Sequence, residues 1–199
     1  MTTIYFIRHG EYKNPLRILP VRMKGFPLSQ IGIDQIKEVG NFLKDKNIMI
    51  IYSSPLLRTR QSAQILSDML HIPIYFSKSL LEVYSSGLQG KDEFVVKEIE
   101  KYKDTFKLPL HIQSHGETIE HIYLRMNRIV SKILREHSHN SVAVVSHGDP
   151  LMIYTLKISG KIIDENHAIT DYNTYIPKSG MIRINYVKGQ FHDISKINY

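Results

Sequence analysis

A chain of 199 residues with 26 lysines and arginines against 19 acidic residues, formally +7 at pH 7, suits one domain with its own core, residues 1–199, and favours an anionic partner. Cysteine is absent, which excludes disulfides, thiolate catalysis and cysteine-ligated zinc. Tryptophan is absent too and the basic residues are scattered, so no nucleic-acid partner is expected; with no signal-peptide pattern at Met1-Thr2-Thr3-Ile4 and no apolar run of membrane-spanning length, the expected setting is the cytoplasm, away from any membrane.

The first element expected is a buried strand. Ile4-Tyr5-Phe6-Ile7 is apolar without alternation and ends in Arg8-His9-Gly10-Glu11. In an open α/β sheet, ligands gather at the carboxyl ends of strands. A loop rich in Pro, Arg and Gly then runs to Pro27. Ser29 is placed to cap a helix whose apolar stripe is Ile33, Ile36, Val39 and Leu43. Ile48 to Tyr52 is a second short strand, and its polar continuation, Ser53 to Ala63, opens a helix reaching about Leu70. Arginines at a helix amino terminus, as Arg58 is here, make an oxyanion site. Pro73 to Phe76 is a brief strand, followed by an irregular stretch with Glu82, Ser85, Ser86, Gly87 and Gly90.

Asp92 to Phe106 carries Val95, Ile99, Tyr102 and Phe106 on one stripe of a solvated helix. Residues 109–116 form a loop. Glu117 starts a long helix with Ile119, Ile122, Met126, Ile129 and Ile133 inward. Val142 to Ser146 repeats the buried-strand pattern and closes with His147-Gly148. Asp149 is the expected cap of the next helix and Pro150 its first residue. Met181 to Val187 and Phe191 to Ile194, joined by Lys188-Gly189, read as a hairpin. Strands alternating with helices give a three-layer α/β sandwich.

The side chains delivered at strand ends and loops are Arg8, His9, Arg58, Glu82 and His147. Two guanidiniums suit a tetrahedral dianion because each presents a planar fork of donors. Nearby positive charge favours neutral imidazole, which is a nucleophile. The pattern points to phosphoryl transfer through a phosphohistidine on His9 or His147, with Glu82 protonating the leaving oxygen. No metal or other cofactor is required, because the arginines neutralise charge as Mg²⁺ does in kinases. Arg60 reads as an outward helix residue, Glu117 as an acid suited to a helix start, and the remaining histidines show no metal-ligand spacing.

These residues resemble the histidine phosphatase superfamily, in its phosphoglycerate mutase-like branch. Arg8-His9-Gly10-Glu11 is similar to its signature, and Gly25, Pro27-Leu28-Ser29 and Gly32 to the segment opening its first helix. Ser54-Pro55-Leu56-Leu57-Arg58-Thr59 with Ser62-Ala63 resembles its second motif. Glu82 with Gly90 is similar to its acid loop, Gly116-Glu117-Thr118 with Arg125 to its Gly-Glu-Ser helix start, and Ser146-His147-Gly148 to its last motif. Five motifs in order cover nearly the whole chain. Tyr12 stands where the family has threonine, Ser86 where it has glycine and Gln89 where it often has glutamate.

The resemblance implies a three-layer α/β/α sandwich with a mostly parallel central sheet. It implies His9 as nucleophile, Arg8, Arg58 and His147 as ligands of the phosphoryl group, and Glu82 as proton donor. Gly148 of the last motif and Asn14 join the phosphate-binding set. The implied activity is metal-independent hydrolysis of phosphomonoesters, with a small phosphorylated metabolite as partner. The alternatives are a phosphoglycerate-type mutase, a protein phosphohistidine phosphatase and a silent phosphate-binding module. Against the mutase, Val83 follows Glu82 where the mutases have arginine, and residues 91–115 contain no arginine. Specificity is expected in loops 12–28, 83–91 and 105–116.

Overall fold

In the computed structural model, which describes residues 1–92, 109–161 and 175–199, the unbroken apolar runs become the middle of a six-stranded sheet. Its strands are β1 (Thr2–Arg8), β2 (Ile48–Ser53), β3 (Ile74–Phe76), β4 (Ser141–Ser146), β5 (Met181–Val187) and β6 (Gln190–Ile197), in the order β3-β2-β4-β1-β5-β6. β3, β2, β4 and β1 run parallel, while β5 and β6 add an antiparallel edge. The expected hairpin is this edge.

β1 lacks polar alternation because both its faces are covered. Ile4 and Phe6, with Val142 and Val144 of β4, pack into one apolar cluster; Tyr5 and Ile7, with Ala143 and Val145, pack into another. The second cluster is closed by α1 (Gln30–Leu43) and α2 (Leu57–Leu70), through Ile36, Val39, Leu43, Ala63 and Leu66. The first is closed by α4 (Ile119–Glu136) and α5 (Gly148–Ile158). Three layers result, α/β/α, around a mostly parallel sheet. Ser29 caps α1 as expected, its Oγ accepting the Gly32 N–H at 3.1 Å. The stripe expected on α4 is buried along its whole length. No helix among the described residues is long and apolar enough to cross a membrane.

Three local expectations change. Residues 109–116 contain a short helix, α3 (Pro109–Gln113), begun by a proline, whose missing N–H is no loss in a first turn. α4 begins at Ile119, capped by Thr118, whose hydroxyl accepts from His121 N at 3.1 Å. Glu117 lies outside the helix because its carboxylate has stronger partners in the core. α5 starts one residue before Asp149, with His147 in the cap position. His147 keeps the extended backbone of β4, so the turn tightens at once; Asp149 and Pro150 occupy the first turn, where a negative charge suits the dipole. The helix expected at 92–106 lies outside the described residues beyond Asp92.

Register decides where chemistry can occur. Arg8 pairs with Ser146 and Ser53 with Val145, so β1, β4 and β2 end level. Each ladder continues one step further: His9 N–H donates to Ser146 O at 3.1 Å and Ser54 N–H to Val145 O at 3.0 Å. The residues leaving the three strands therefore share one edge.

Candidate active site

The chain can leave β1 beneath the start of α1 only without side chains at the crossing. A Cβ on Gly10 would stand 2.4 Å from Gly32 O, and one on Gly32 would stand 1.9 Å from Glu11 O. This close approach turns His9 inward, 2% exposed. Its Nδ1 lies 2.8 Å from Gly10 O. A carbonyl only accepts, so Nδ1 carries the hydrogen and Nε2 keeps the lone pair. Arg58 Nε–H donates to that Nε2 at 3.2 Å, consistent with the same tautomer. Burial first, then the Arg58 and Arg8 charges, push the His9 pKa well below the ordinary imidazole value. The nucleophile expected from the sequence is held neutral.

Arg58, on the first turn of α2, is 2% exposed, and its second contact is NH2 to Val21 O at 3.0 Å. Arg8 leans on the Tyr175 ring, 4.9 Å from its centroid, and donates to Ile176 O at 2.9 Å. Among the described residues neither guanidinium has a carboxylate within ion-pair distance, although buried charges ordinarily do. Among the described residues, Arg8 Nε and His147 Nδ1 are both buried without a hydrogen-bond partner. His147, fully buried, stands with its ring centroid 5.2 Å from that of His9 and its Nε2 2.9 Å from Ser54 Oγ. Burial, then Arg58, also hold His147 neutral. Donors without acceptors, converging beside a lone-pair nitrogen, fit an anion with several oxygens.

Glu82 faces this group, its Oε2 3.7 Å from His147 Nδ1 and its Oε1 accepting from Val83 N at 3.0 Å. The side chain is 19% exposed. Burial, with the neighbouring Asp149 charge, pushes its carboxyl up to about 7 against the pull of Arg58. A carboxyl half-protonated near neutrality suits proton donation. Gly148 belongs to the same place: a Cβ there would stand 2.3 Å from Tyr175 Oη and 3.2 Å from Arg8 Cζ.

Asn14 is not joined to this group. Its Nδ2 donates to Ile18 O at 2.8 Å and its Oδ1 accepts from Ile18 N at 3.2 Å, so the amide folds its own loop beside a cleft of about 530 Å³. Arg60 points outward over Phe76, as expected. Several contributors carried no signal in the sequence. Lys178 lies over the Tyr12 ring at 4.9 Å, and Tyr12 stands edge-on to His9 at 5.5 Å. Tyr175 and Lys178 occupy an irregular segment without periodicity, and no local pattern distinguishes them from solvated residues.

Arg58→Lys should lower kcat/KM by about a hundredfold or more, the cost of losing one oriented donor at a developing charge. An ammonium cannot reach His9 and Val21 together. Steady-state kinetics beside an unchanged thermal transition would check this; near-normal turnover would show that only charge matters there.

The histidine phosphatase superfamily (branch 1) matches residues 4–178, a span containing every member of the group just described. Bacillus subtilis PhoE, described as an uncharacterized phosphatase, is 26% identical over 201 residues, 92% of this chain and 100% of that protein. Phosphoserine phosphatase 1 of Hydrogenobacter thermophilus is 27% identical over 161 residues, 76% of this chain and 73% of its own. The solved structure of Bacillus stearothermophilus YhfR superposes with a TM-score of 0.82 at 26% identity, covering 96% of this chain and 95% of that one. With the match spanning both strand-end histidines and both arginines, this chain belongs to the histidine phosphatase superfamily, branch 1.

Proposed function

We propose that this chain hydrolyses small cytoplasmic phosphomonoesters through a phosphohistidine on His9, without a metal ion. The observation that carries the reading is the His9 Nε2 lone pair, set by the Nδ1 contact to Gly10 O and flanked by two guanidiniums that have no carboxylate within ion-pair distance among the described residues. In the first half, Nε2 attacks phosphorus as the P–O bond to the alcohol breaks. Glu82 gives its proton to the departing oxygen. In the second half, the Glu82 carboxylate takes a proton from water, whose oxygen attacks phosphorus as the N–P bond breaks. Phosphate leaves, and His9 and Glu82 return to their starting states. Arg8, Arg58 and His147 bear the charge on the transferring oxygens.

Hydrolysis is favoured over return of the phosphoryl group to the alcohol. Val83, at the position where the mutases resembled here have arginine, is 3% exposed and packed in the apolar core. It holds no substrate carboxylate. The names of the relatives, a phosphatase and a phosphoserine phosphatase, agree with a small ester as substrate. A panel of phosphorylated metabolites assayed for inorganic phosphate would identify it.

Supplied with 3-phosphoglycerate and the 2,3-bisphosphate primer, the enzyme should release phosphate faster than it forms 2-phosphoglycerate, with or without chelator. Faster isomerisation would make it a mutase. Activity lost to chelator and restored by Mg²⁺ or Zn²⁺ would overturn the metal-free mechanism.

A further inference from the structure

We infer that Glu117 is a positioning residue: through Arg22 and Arg125 it fixes the backbone of Glu82, and so the aim of that carboxyl into the site. The inference rests on Glu82 being the proton donor. Glu117 is buried, its side chain 4% exposed, just before α4. Its Oε2 accepts from Arg22 NH2 at 2.8 Å and Arg125 NH2 at 3.1 Å, and its Oε1 from Arg125 Nε at 2.7 Å. Exposed His121 lies 3.5 Å away.

Both arginines then reach the acid loop. Arg22 Nε donates to Glu82 O at 2.7 Å and Arg125 NH2 to the same oxygen at 3.4 Å. Arg125 NH1 also donates to Ser79 O at 2.7 Å, tying down the turn just before Glu82. Tyr84 N–H donates to Glu117 Oε2 at 3.2 Å. The carbonyl of Glu82 and the amide of Tyr84 are thus held by one ion cluster, while the Glu82 carboxyl itself stands 3.7 Å from His147 Nδ1.

The next residue is held too. His111 Nε2 lies 3.2 Å from Glu117 O, so that nitrogen is the donor, and Nδ1 at 3.0 Å accepts the Ser85 hydroxyl. Loop 12–28 is strapped to the same loop. Leu19 N donates to Lys91 O at 2.8 Å, Gly90 N to Leu19 O at 2.9 Å and Arg22 N to Gln89 Oε1 at 3.3 Å.

Stability alone does not account for the arrangement. A buried ion cluster is commonly no better than apolar packing of equal volume, and it leaves a net positive charge here. What it supplies, and apolar side chains cannot, is directional hydrogen bonds to backbone groups on either side of the proton donor. A donor displaced by an ångström loses much of its effect.

The test compares kcat/KM for p-nitrophenyl phosphate, whose leaving group barely needs a proton, with phenyl phosphate, whose leaving group needs one. It uses the full chain and the variants Glu117→Gln, Arg22→Ala, Arg22→Lys and Glu82→Gln. Arg22→Ala should slow phenyl phosphate about tenfold and p-nitrophenyl phosphate less than about threefold. Arg22→Lys should behave like the alanine variant, because an ammonium cannot bridge Glu82 O and Glu117 as the fork does. Combined with Glu82→Gln, Arg22→Ala should not change the substrate ratio further.

Glu117→Gln should change the ratio more than Arg22→Ala does, and less than Glu82→Gln. Should the two unneutralised guanidiniums, that of Arg125 buried, prevent its folding, Arg22→Ala carries the test, since it keeps the Arg125–Glu117 pair and Arg22 is 26% exposed. Equal slowing of both substrates, rescue by Arg22→Lys, or multiplying ratios in the double variant would overturn the inference. A selective effect of Glu82→Gln with none from Arg22→Ala would sink the inference alone. No selective effect of Glu82→Gln would sink the catalytic reading, and this inference with it.

Discussion

His9→Ala should lower turnover at least about ten-thousandfold and abolish an acid-labile, base-stable phosphoenzyme. The expectation follows from geometry. Nδ1 is committed to the Gly10 carbonyl, leaving Nε2 as the nitrogen that can form a bond to phosphorus. No other described side chain matches it: His147 has its Nε2 against Ser54 Oγ and its Nδ1 toward Glu82. Rapid quenching with substrate labelled in the phosphoryl group, followed by acid and base treatment of the protein, reads the result directly. His147→Ala should still label, but slowly. Label on any other residue in the His9 variant, or turnover within tenfold of the parent, would refute the assignment.

Glu82→Gln should slow esters with poor leaving groups by about a hundredfold or more while slowing p-nitrophenyl phosphate far less. Its carboxyl is pushed from 4.5 up to about 7, chiefly by burial, so the donating, protonated form disappears as pH rises through about 7. The parent enzyme should therefore lose activity on alkyl esters above neutrality. The acid limb belongs to His9, which stays neutral well below the ordinary imidazole value. Glutamine removes the alkaline limb and leaves the acid one. Equal slowing of all esters would mean that Glu82 only shapes the pocket, and Asp149 would be the next group to change.

The same carboxyl gives a readout independent of turnover. A folded-state pKa raised above the unfolded one contributes stability that is complete below the unfolded value and is lost as pH rises through the folded value. The window here is 4.5 to about 7. That difference corresponds to roughly 3 kcal/mol, so glutamine should gain about that much on the parent between acidic and mildly alkaline denaturation curves. A gap that does not change with pH would mean Glu82 is not desolvated.

The parts of this molecule legible in sequence are those governed by periodicity and by motifs with a fixed backbone context. β1 and β4 show themselves because strands covered on both faces cannot alternate, and α4 because Ile119, Ile122, Met126, Ile129 and Ile133 keep one stripe. Arg8, His9, Arg58, His147 and Glu82 meet because they leave level strand ends or the loop beside them. Glu117 differs from its sequence reading for a physical reason: an acid beside a helix start reads as a dipole partner, whereas its partners, Arg22 and Arg125, lie in a distant loop and nearly two helix turns beyond the start of α4. Asn14 has the right neighbourhood and a different use, closing its own turn. Long-range side-chain pairing of this kind leaves no periodic trace.

The level ends of β1, β2 and β4 carry one more consequence. Position 9 meets position 58 across 49 residues and Ser54 meets His147 across 93, through parallel pairings that no local turn can bring about. Such contacts are the late and slow ones in assembly, because loop closure must precede any gain from pairing. A chain with its helices formed but its parallel strands unpaired has no fragment of the phosphate site: no lone His9–Arg58 pair, no partial anion cradle. The complete anion site therefore exists only when β1, β2 and β4 have all paired, since His9, Arg58 and His147 each depend on a different one of these strands or the helix it feeds.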